Sequence, residues 1–252
     1  MNLFCELNNA KSFTQIIDSI TDIVTDVNIL CDTNNIHIQA LDPSRVSLCI
    51  FNIDKQSMSY YDNISRCIGI NMKLLSKLLH CFADNDYIQL SIDENHDKLT
   101  LENITNDKQQ RQLKFQIPLM TIDSDYLEIP ITDYDITINI TTKLFNKLVK
   151  DVLVLDSQNI CFEFKENNIK LTSITPEGAE LSFEQPSNED LTIKHKLDTK
   201  LEFSSRYIKQ FLKPCSFTKY VKLYATKDLP IKFEYNIGYD KIIYMCAPKE
   251  SD

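Results

Sequence analysis

The chain has 252 residues, of which 43% are apolar and 25% are charged, a composition typical of globular proteins with a sizeable buried core. Its three glycines cannot form the glycine-rich loops of common nucleotide-binding sites, and its eight scattered cysteines include no C-x-x-C pair, so we expect no metal and no cofactor. The net charge of −9 by itself disfavours nucleic-acid binding. The start MNLFCEL lacks the pattern of a secretion signal, so we expect the cysteines to be reduced thiols, and we expect no membrane partner.

Two parts of the chain resemble each other at a constant offset of 133 residues. The segment NNIHIQALDPSRVSL from Asn34 aligns with NNIKLTSITPEGAEL from Asn167, and YIQLSI from Tyr87 aligns with YVKLYA from Tyr220. Apolar residues alternate in both pairs, as they do in half-buried β-strands. The repeat predicts two copies of one mainly antiparallel β unit.

Each copy is also predicted to contain two short amphipathic helices. The four segments start at Asn9, Asn71, Thr141 and Ser204, whose side chains can cap a helix. Apolar residues recur on one face of each segment, and we expect that face to pack onto a sheet. The opposite faces are Lys11, Thr14, Gln15, Asp18; Lys73, Ser76, Lys77, His80; Lys143, Asn146, Lys147, Lys150; and Arg206, Lys209, Gln210, Lys213.

These opposite faces together carry a charge of +8, so the rest of the chain carries −17. Surface lysines are usually just solvated, and that is the alternative for any one helix. Solvated faces normally mix signs, however, because like charges four residues apart destabilise a helix by about 0.2–0.5 kcal/mol. Three basic helix faces in an acidic chain favour the interpretation that these faces bind a polyanion. The scarcity of aromatic residues on these faces favours duplex phosphates over stacked single strands.

Between the two copies, residues 121–133 read TIDSDYLEIPITD, with four acids, one proline and no basic residue. This composition predicts an extended connector, with domains at 1–118 and 134–252 and the connector at 119–133. Tyr126, Leu127 and Ile129 cannot form a core within so short and acidic a segment. We expect them to lie over a neighbouring cleft as a partly exposed apolar patch, the kind of surface that binds peptides.

The residues that could support catalysis are few. His80 and Cys81 are adjacent, but neighbouring residues of a helix point in different directions. The acids Asp123 and Asp125 could bind a metal in principle, yet a connector is the favoured interpretation. A magnesium-dependent nuclease or hydrolase would need carboxylates beside the basic helices, where Asp18 is the single one. We therefore expect that the chain is not an enzyme.

Five segments match a known family in order and spacing: LDPSRVSL from Leu41, GINMKLLSKLL from Gly69, LEIP from Leu127, DLPIKFEY from Asp228 and APK from Ala247. Over essentially its full length, the chain resembles the proliferating cell nuclear antigen family of DNA sliding clamps. The resemblance implies the α+β DNA clamp fold, in which two similar domains of antiparallel sheet carry two short helices each. It also implies a closed ring of three subunits.

The resemblance further implies a processivity factor that encircles double-stranded DNA regardless of sequence. Its partners would be a clamp loader, DNA polymerase and other proteins that carry a clamp-interacting peptide with a glutamine, an aliphatic residue and two aromatic residues. Its location would be the nucleus, or the site of viral DNA replication. The alternative is a subunit of a heteromeric clamp.

Three sets of site residues follow. The DNA-facing set is Lys11, Lys73, Lys77, His80, Lys143, Lys147, Lys150, Arg206, Lys209 and Lys213. The partner-peptide pocket is Leu41, Arg45, Val46, Leu48, Tyr126, Leu127, Ile129, Pro130, Pro230, Met245, Ala247 and Pro248. The resemblance places the subunit interface between the strands near Arg111–Ile117 and Ala179–Phe183, with side chains Leu113, Phe115, Ile117, Leu181 and Phe183.

Three departures from the family pattern bear on these sets. Arg45 stands where relatives usually have histidine, and Met245 stands where tyrosine is common, so the pocket is expected to prefer a different peptide. The first helix is neutral on its outer face, which shifts the expected DNA contact to the other helices. For Val46 and Leu48, a place in the core is the stronger alternative.

Overall fold

A computed structural model describes residues 3–62, 66–92, 97–104, 112–123, 126–130 and 132–249. Within these residues, the chain forms four α-helices and eighteen β-strands. It divides into two compact units. The first unit comprises Met1–Pro43, Cys49–Glu128 and Ile237–Ile242, and the second comprises Ser44–Leu48, Ile129–Asn236 and Ile243–Asp252.

The first unit contains two sheets and two helices. Its elements are β1 (Phe4–Leu7), α1 (Ala10–Thr21), β2 (Asp26–Cys31), β3 (Asn35–Leu41), β4 (Ser47–Asp54), β5 (Met58–Asp62), β6 (Arg66–Asn71), α2 (Met72–Leu79), β7 (Tyr87–Ile92), β8 (Lys98–Ile104) and β9 (Lys114–Pro118). One sheet is antiparallel in the order β5-β1-β7-β8-β9. The other has the order β4-β3-β2-β6, with β2 antiparallel to both of its neighbours.

The second unit repeats this arrangement. Its elements are β10 (Ile136–Thr141), α3 (Thr142–Val152), β11 (Asn159–Lys165), β12 (Asn168–Ile174), β13 (Glu180–Pro186), β14 (Leu191–His195), β15 (Thr199–Ser204), α4 (Ser205–Gln210), β16 (Tyr220–Ala225) and β17 (Ile231–Ile237). The antiparallel orders are β13-β12-β11-β15 and β14-β10-β16-β17. A last strand, β18 (Asp240–Cys246), contributes residues to both units.

The strand starts confirm the sequence repeat. Strand β3 begins at Asn35 and β12 begins at Asn168, and β7 and β16 begin at Tyr87 and Tyr220, each pair 133 residues apart. The equivalent strands also occupy equivalent places in their sheets, since β4-β3-β2-β6 corresponds to β13-β12-β11-β15. The predicted α+β class, with two antiparallel β units and two helices in each, is confirmed.

The apolar faces of the helices are buried in their own units, as predicted. Ile17 of α1 and Leu75 of α2 are buried in the first unit, and Phe145 of α3 and Ile208 of α4 are buried in the second. Each buried aliphatic or aromatic side chain of this size contributes about 1.5–3 kcal/mol to stability. Because the apolar face of each helix is fixed against the core, its opposite face is left to solvent.

Candidate DNA-facing, subunit and partner surfaces

The first unit presents its basic side chains from helices whose starts are fixed by side-chain caps. Asn9 Oδ1 accepts a hydrogen bond from the backbone N of Ser12 at 2.9 Å, and Asn71 Oδ1 accepts one from the N of Leu74 at 2.9 Å. Such caps satisfy the free amides of a first turn and so determine where the helix begins. The predicted DNA-facing residues of this unit are all exposed: Lys11, Lys73, Lys77 and His80.

Two of these basic side chains contact a carboxylate. Lys11 Nζ lies 2.6 Å from Oδ2 of Asp84, which follows α2 in the chain. His80 Nε2 lies 2.9 Å from Oδ2 of Asp18, whose other oxygen accepts a hydrogen bond from Ser76 Oγ at 2.6 Å. Asp18 therefore joins α1 to α2, and the outer face of α1 presents no unpaired positive charge.

The second unit presents a group of basic side chains without such partners. Its helix α3 is capped by Thr141, whose Oγ1 accepts from the N of Leu144 at 3.4 Å, whereas the side chain of Ser204 makes no capping hydrogen bond to α4. The exposed basic residues here are Lys143, Lys147, Lys150, Arg206 and Lys209. None of these five forms an ion pair with any residue that the structure describes.

Two predicted positions on the outer helix faces are wrong. Thr14 is buried, because its hydroxyl donates to the carbonyl of Ala10 at 2.8 Å and is thereby satisfied within its own helix. Lys213 is half-buried and lies in the 3₁₀ turn Lys213–Ser216, beyond the end of α4 at Gln210. Pro214 explains this end, since proline has no N–H to donate and its ring clashes with the carbonyl four residues earlier.

The first predicted interface strand, β9, forms one edge of its sheet, with β8 as its neighbour. Leu113 lies just before the strand, and Arg111 lies outside the described residues. Phe115 is half-buried and its ring packs against Phe82, with 5.6 Å between the ring centroids. Ile117 is 1% exposed, so its side chain belongs to the core and only its backbone is available at the edge.

The second predicted interface strand, β13, forms an edge of the four-stranded sheet of the second unit, with β12 as its neighbour. Leu181 and Phe183 are half-buried, and they alternate with exposed residues along the strand. An unpaired strand edge with apolar side chains is a surface on which another strand can pair. Both predicted strands therefore lie at sheet edges and carry half-buried apolar side chains.

The connector exposes the three apolar side chains that the sequence singled out. Tyr126 is 59% exposed, Leu127 is 37% exposed and Ile129 is 38% exposed. Asp123 also belongs to this segment, whereas Asp125 lies outside the described residues. The connector therefore leaves these three side chains at least partly exposed, as the sequence predicted.

Contacts from three strands of the first unit hold the connector in place. The side-chain amide of Gln39, on β3, pairs with the backbone of Leu127 through two hydrogen bonds of 2.7 and 2.9 Å. Asn28, on β2, donates to the carbonyl of Ile122 at 2.9 Å. On β6, a Cβ at Gly69 would lie 2.1 Å from the carbonyl oxygen of Met120, so only glycine allows this close approach. The sequence pattern did not predict these anchors.

The remaining residues of the predicted pocket differ in burial. Leu48 is buried, Leu41, Val46, Pro230, Met245, Ala247 and Pro248 are half-buried, and Arg45 and Pro130 are exposed. The core interpretation is therefore the correct one for Leu48. Within the second unit, Ala247 N donates to the carbonyl of Val46 at 2.9 Å, which brings the end of the chain to the LDPSRVSL segment. Arg45 has a left-handed backbone, with φ of 57°.

A cavity of about 540 Å³ lies beside the connector in the first unit, and the sequence did not predict it. Its lining includes His37, Asn52, Cys67 and Tyr126. His37 Nδ1 contacts Asn52 Oδ1, and the His37 ring lies 5.7 Å from the ring of Tyr126. These residues come from different strands and from the connector, so no spacing along the chain indicated that they meet.

The thiols and acids of the described residues form no reactive cluster. Burial raises the pKa of the Cys5 and Cys49 thiols, and it raises the pKa of Cys215 to about 11. These thiols are therefore protonated at neutral pH and are poor nucleophiles. Within the same described ranges, no three His, Cys, Asp or Glu side chains are grouped as metal ligands, and no helix has the length and apolarity needed to cross a membrane.

The whole chain is similar to one family of replication proteins. The profile described as "Proliferating cell nuclear antigen, N-terminal domain" matches residues 3–127, and that of the C-terminal domain matches residues 128–250. Proliferating cell nuclear antigen of Saccharomyces cerevisiae is 28% identical over 99% of both chains, and that of Chaetomium thermophilum is 27% identical over 99% of both. The DNA polymerase sliding clamp of Methanococcus vannielii is 26% identical over 96% of both. The crystal structure of proliferating cellular nuclear antigen from Entamoeba histolytica shares the fold, with a TM-score of 0.90 at 23% identity, over 98% of this chain and 99% of that one.

Proposed function

The chain belongs to the proliferating cell nuclear antigen family and is a DNA sliding clamp, and from this premise we propose how its surfaces serve DNA replication. Three copies close into a ring, duplex DNA passes through the ring along the helices, and partner proteins attach at the connector. We keep 1–118, 119–133 and 134–252 as the proposed domains and connector. The similarity to eukaryotic relatives supports the nucleus, or a site of viral DNA replication, as the place of action.

The observation that carries this proposal is the charge on α3 and α4. Five exposed basic side chains without ion-pair partners lie on these helices, in a chain whose net charge is −9. Positive side chains bind phosphates without reading bases, and the affinity falls as salt rises. A ring that holds DNA through such contacts can stay on the duplex and still slide along it.

Ring closure is proposed to pair β9 of one copy with β13 of the next, since both are sheet edges with half-buried apolar side chains. A combined Phe115→Asp and Leu181→Asp variant is expected to lose the three-subunit mass by light scattering, because desolvating two carboxylates in an interface is costly. The matched control is Tyr60→Asp on β5, the opposite edge of the same sheet, which should keep that mass.

Each other outcome of the light-scattering experiment contradicts part of the proposal. A double variant that keeps the three-subunit mass would place the junction on other strands. A wild-type chain that is monomeric by itself would contradict the homotrimer and support a heteromeric ring instead.

The partner site is proposed at the connector, because Leu127 and Ile129 remain exposed there. The side-chain amide of Gln39 holds the backbone of Leu127 on strand β3 through two hydrogen bonds. A bound helical turn would insert its aromatic side chains against these residues, as in other helix-in-groove complexes. Loss of anchor contacts typically costs about 1–4 kcal/mol of binding free energy.

The test is calorimetry with a clamp-interacting peptide. Leu127→Ala combined with Ile129→Ala should abolish measurable binding while the mass of the ring stays the same. Val154→Ala is the control, since Val154 is the same kind of exposed aliphatic residue but lies after α3. Unchanged affinity in the double variant would show that partners bind elsewhere.

A further inference from the structure

Two carboxylates of the first unit, one on α1 and one just after α2, contact basic side chains of these helices. Asp84 lies 2.6 Å from the Lys11 ammonium, and both side chains are more than half exposed. Asp18 accepts from Ser76 Oγ at 2.6 Å and lies 2.9 Å from His80 Nε2. Both carboxylates therefore lie on or beside the helix surface that the proposed function assigns to DNA.

The second unit has a lysine at the position equivalent to Asp18. In the shared register of the four helix segments, Lys150 of α3 takes the place of Asp18, and Lys213 takes the place of His80. Where the first unit has Asp18 in contact with His80, the second has Lys150 on α3 and the half-buried Lys213 beyond the end of α4. The five exposed basic side chains of α3 and α4 form no ion pair with a described residue, whereas Lys11 of α1 is paired.

A carboxylate at hydrogen-bond distance neutralises the positive charge that a DNA phosphate would otherwise meet. Only a cation that neutralises a phosphate releases counterions from the duplex, and that release is the main source of sequence-independent affinity. Exposed ion pairs contribute little to folding, with a typical value of about 0–1 kcal/mol. The pairs of the first unit consequently matter more for surface charge than for stability.

We infer that Asp84 and Asp18 act as internal competitors of DNA phosphate, so that helix α1 does not bind DNA and the duplex is held mainly by α2, α3 and α4. This inference rests on the proposed function, because it requires that the outer helix faces meet the duplex. The inference assigns to two acidic residues the role of lowering the affinity of the clamp for DNA.

The test measures binding of the full chain to a fluorescent linear duplex by anisotropy, between 50 and 200 mM NaCl. Asp84→Asn should tighten binding. Because this change frees one lysine, the ratio of variant to wild-type affinity should be about threefold larger at 50 mM than at 200 mM NaCl. Asp18→Asn should also tighten binding. Removing both partners, with Lys11→Met and Asp84→Asn together, should leave affinity at the wild-type value, because a neutralised pair contributes nothing.

Two controls separate this inference from simpler effects. Asp133→Asn breaks an ion pair with Lys196 that is also exposed but does not involve the helices, so DNA affinity should not change. Lys147→Ala tests the premise, and it should weaken binding. Melting curves of each variant establish that the fold is intact.

Each contrary result has one meaning. If Lys147→Ala binds DNA as wild type does, the proposed DNA-facing surface itself is wrong. If Lys147→Ala weakens binding but Asp84→Asn and Asp18→Asn bring no gain, the inference alone is overturned. The inference is also overturned if Asp133→Asn brings the same gain in affinity, because net charge would then explain the effect. It is overturned too if the double variant Lys11→Met, Asp84→Asn binds DNA more weakly than wild type, because Lys11 would then contact DNA despite its ion pair.

Discussion

The helix pair of the first unit and that of the second occupy equivalent places in a repeated fold, yet their outer faces differ in charge. Asp18 of α1 contacts His80, Asp84 just after α2 pairs with Lys11, and only Lys73 and Lys77 of α2 remain exposed without an ion pair to a described residue. In α3 and α4, five basic side chains remain exposed without ion pairs to any described residue. The comparison shows that the fold fixes the buried faces of these helices, while each outer face is free to take its own charge.

The two helix pairs also differ in how their starts are stabilised. Asn9 and Asn71 accept hydrogen bonds of 2.9 Å from the first turns of α1 and α2. The cap of α3, Thr141, accepts a longer one of 3.4 Å, and Ser204 gives α4 none. The first unit therefore has the better capped helices, and the second has the more strongly basic ones.

The largest expected effect comes from removing the charge of α3. Changing Lys143, Lys147 and Lys150 together to alanine should lower DNA affinity by roughly tenfold or more at low salt. The slope of log affinity against log salt should also fall by about 0.9 for each lysine that neutralises a phosphate. Anisotropy titrations at several salt concentrations measure both quantities.

A charge-matched control makes the α3 experiment specific. Lys165, Lys227 and Lys249 are exposed and lie outside the helices, so their replacement by alanine removes the same charge from other surfaces. This control should bind DNA nearly as wild type does. Equal losses in the two triple variants would mean that net charge, and not the helix surface, governs binding.

An intermediate effect is expected from the caps. Asn9→Ala should lower the free energy of unfolding by about 1 kcal/mol, because the amide of Ser12 loses its acceptor at the start of α1. Ser204→Ala should change it by a few tenths of a kcal/mol at most, since that side chain makes no capping bond. Urea titrations followed by circular dichroism compare the two, and Asn9→Asp should restore the wild-type value. Equal losses at both positions would contradict the difference in capping.

The smallest effect is expected for the stability contribution of Asp18. Asp18→Asn keeps an oxygen that can accept from Ser76 but removes the carboxylate charge beside His80 Nε2. Even a full exposed ion pair contributes only about 0.2–1 kcal/mol, so the urea midpoint should decrease only slightly. A loss of several kcal/mol would show that Asp18 mainly supports the packing of α1 against α2 and would weaken the comparison of surface charge.

Much of the fold could be predicted from the residues because its signals are local. The 133-residue offset gave the starts of equivalent strands, and Asn9, Asn71, Thr141 and Ser204 directly precede the helices. Alternating apolar residues in β13 and the exposed Leu127 and Ile129 of the connector also agree with the pattern. The predicted outer-face positions of Thr14 and Lys213 were wrong for local reasons. The Thr14 hydroxyl donates to a carbonyl of its own helix, and Pro214 ends α4 before Lys213.

The sequence by itself determined the repeat, the helix starts and the buried faces, because caps and periodicity act between residues that are close along the chain. Only the tertiary structure decided which charges cancel, since Lys11 and Asp84 are 73 residues apart and His80 and Asp18 are 62 apart. It also decided how the connector is held, through Gln39 and Gly69 on separate strands. The physical reason is that ion pairs and close backbone approaches depend on distance in space, and a periodic pattern contains no information on which distant surfaces meet.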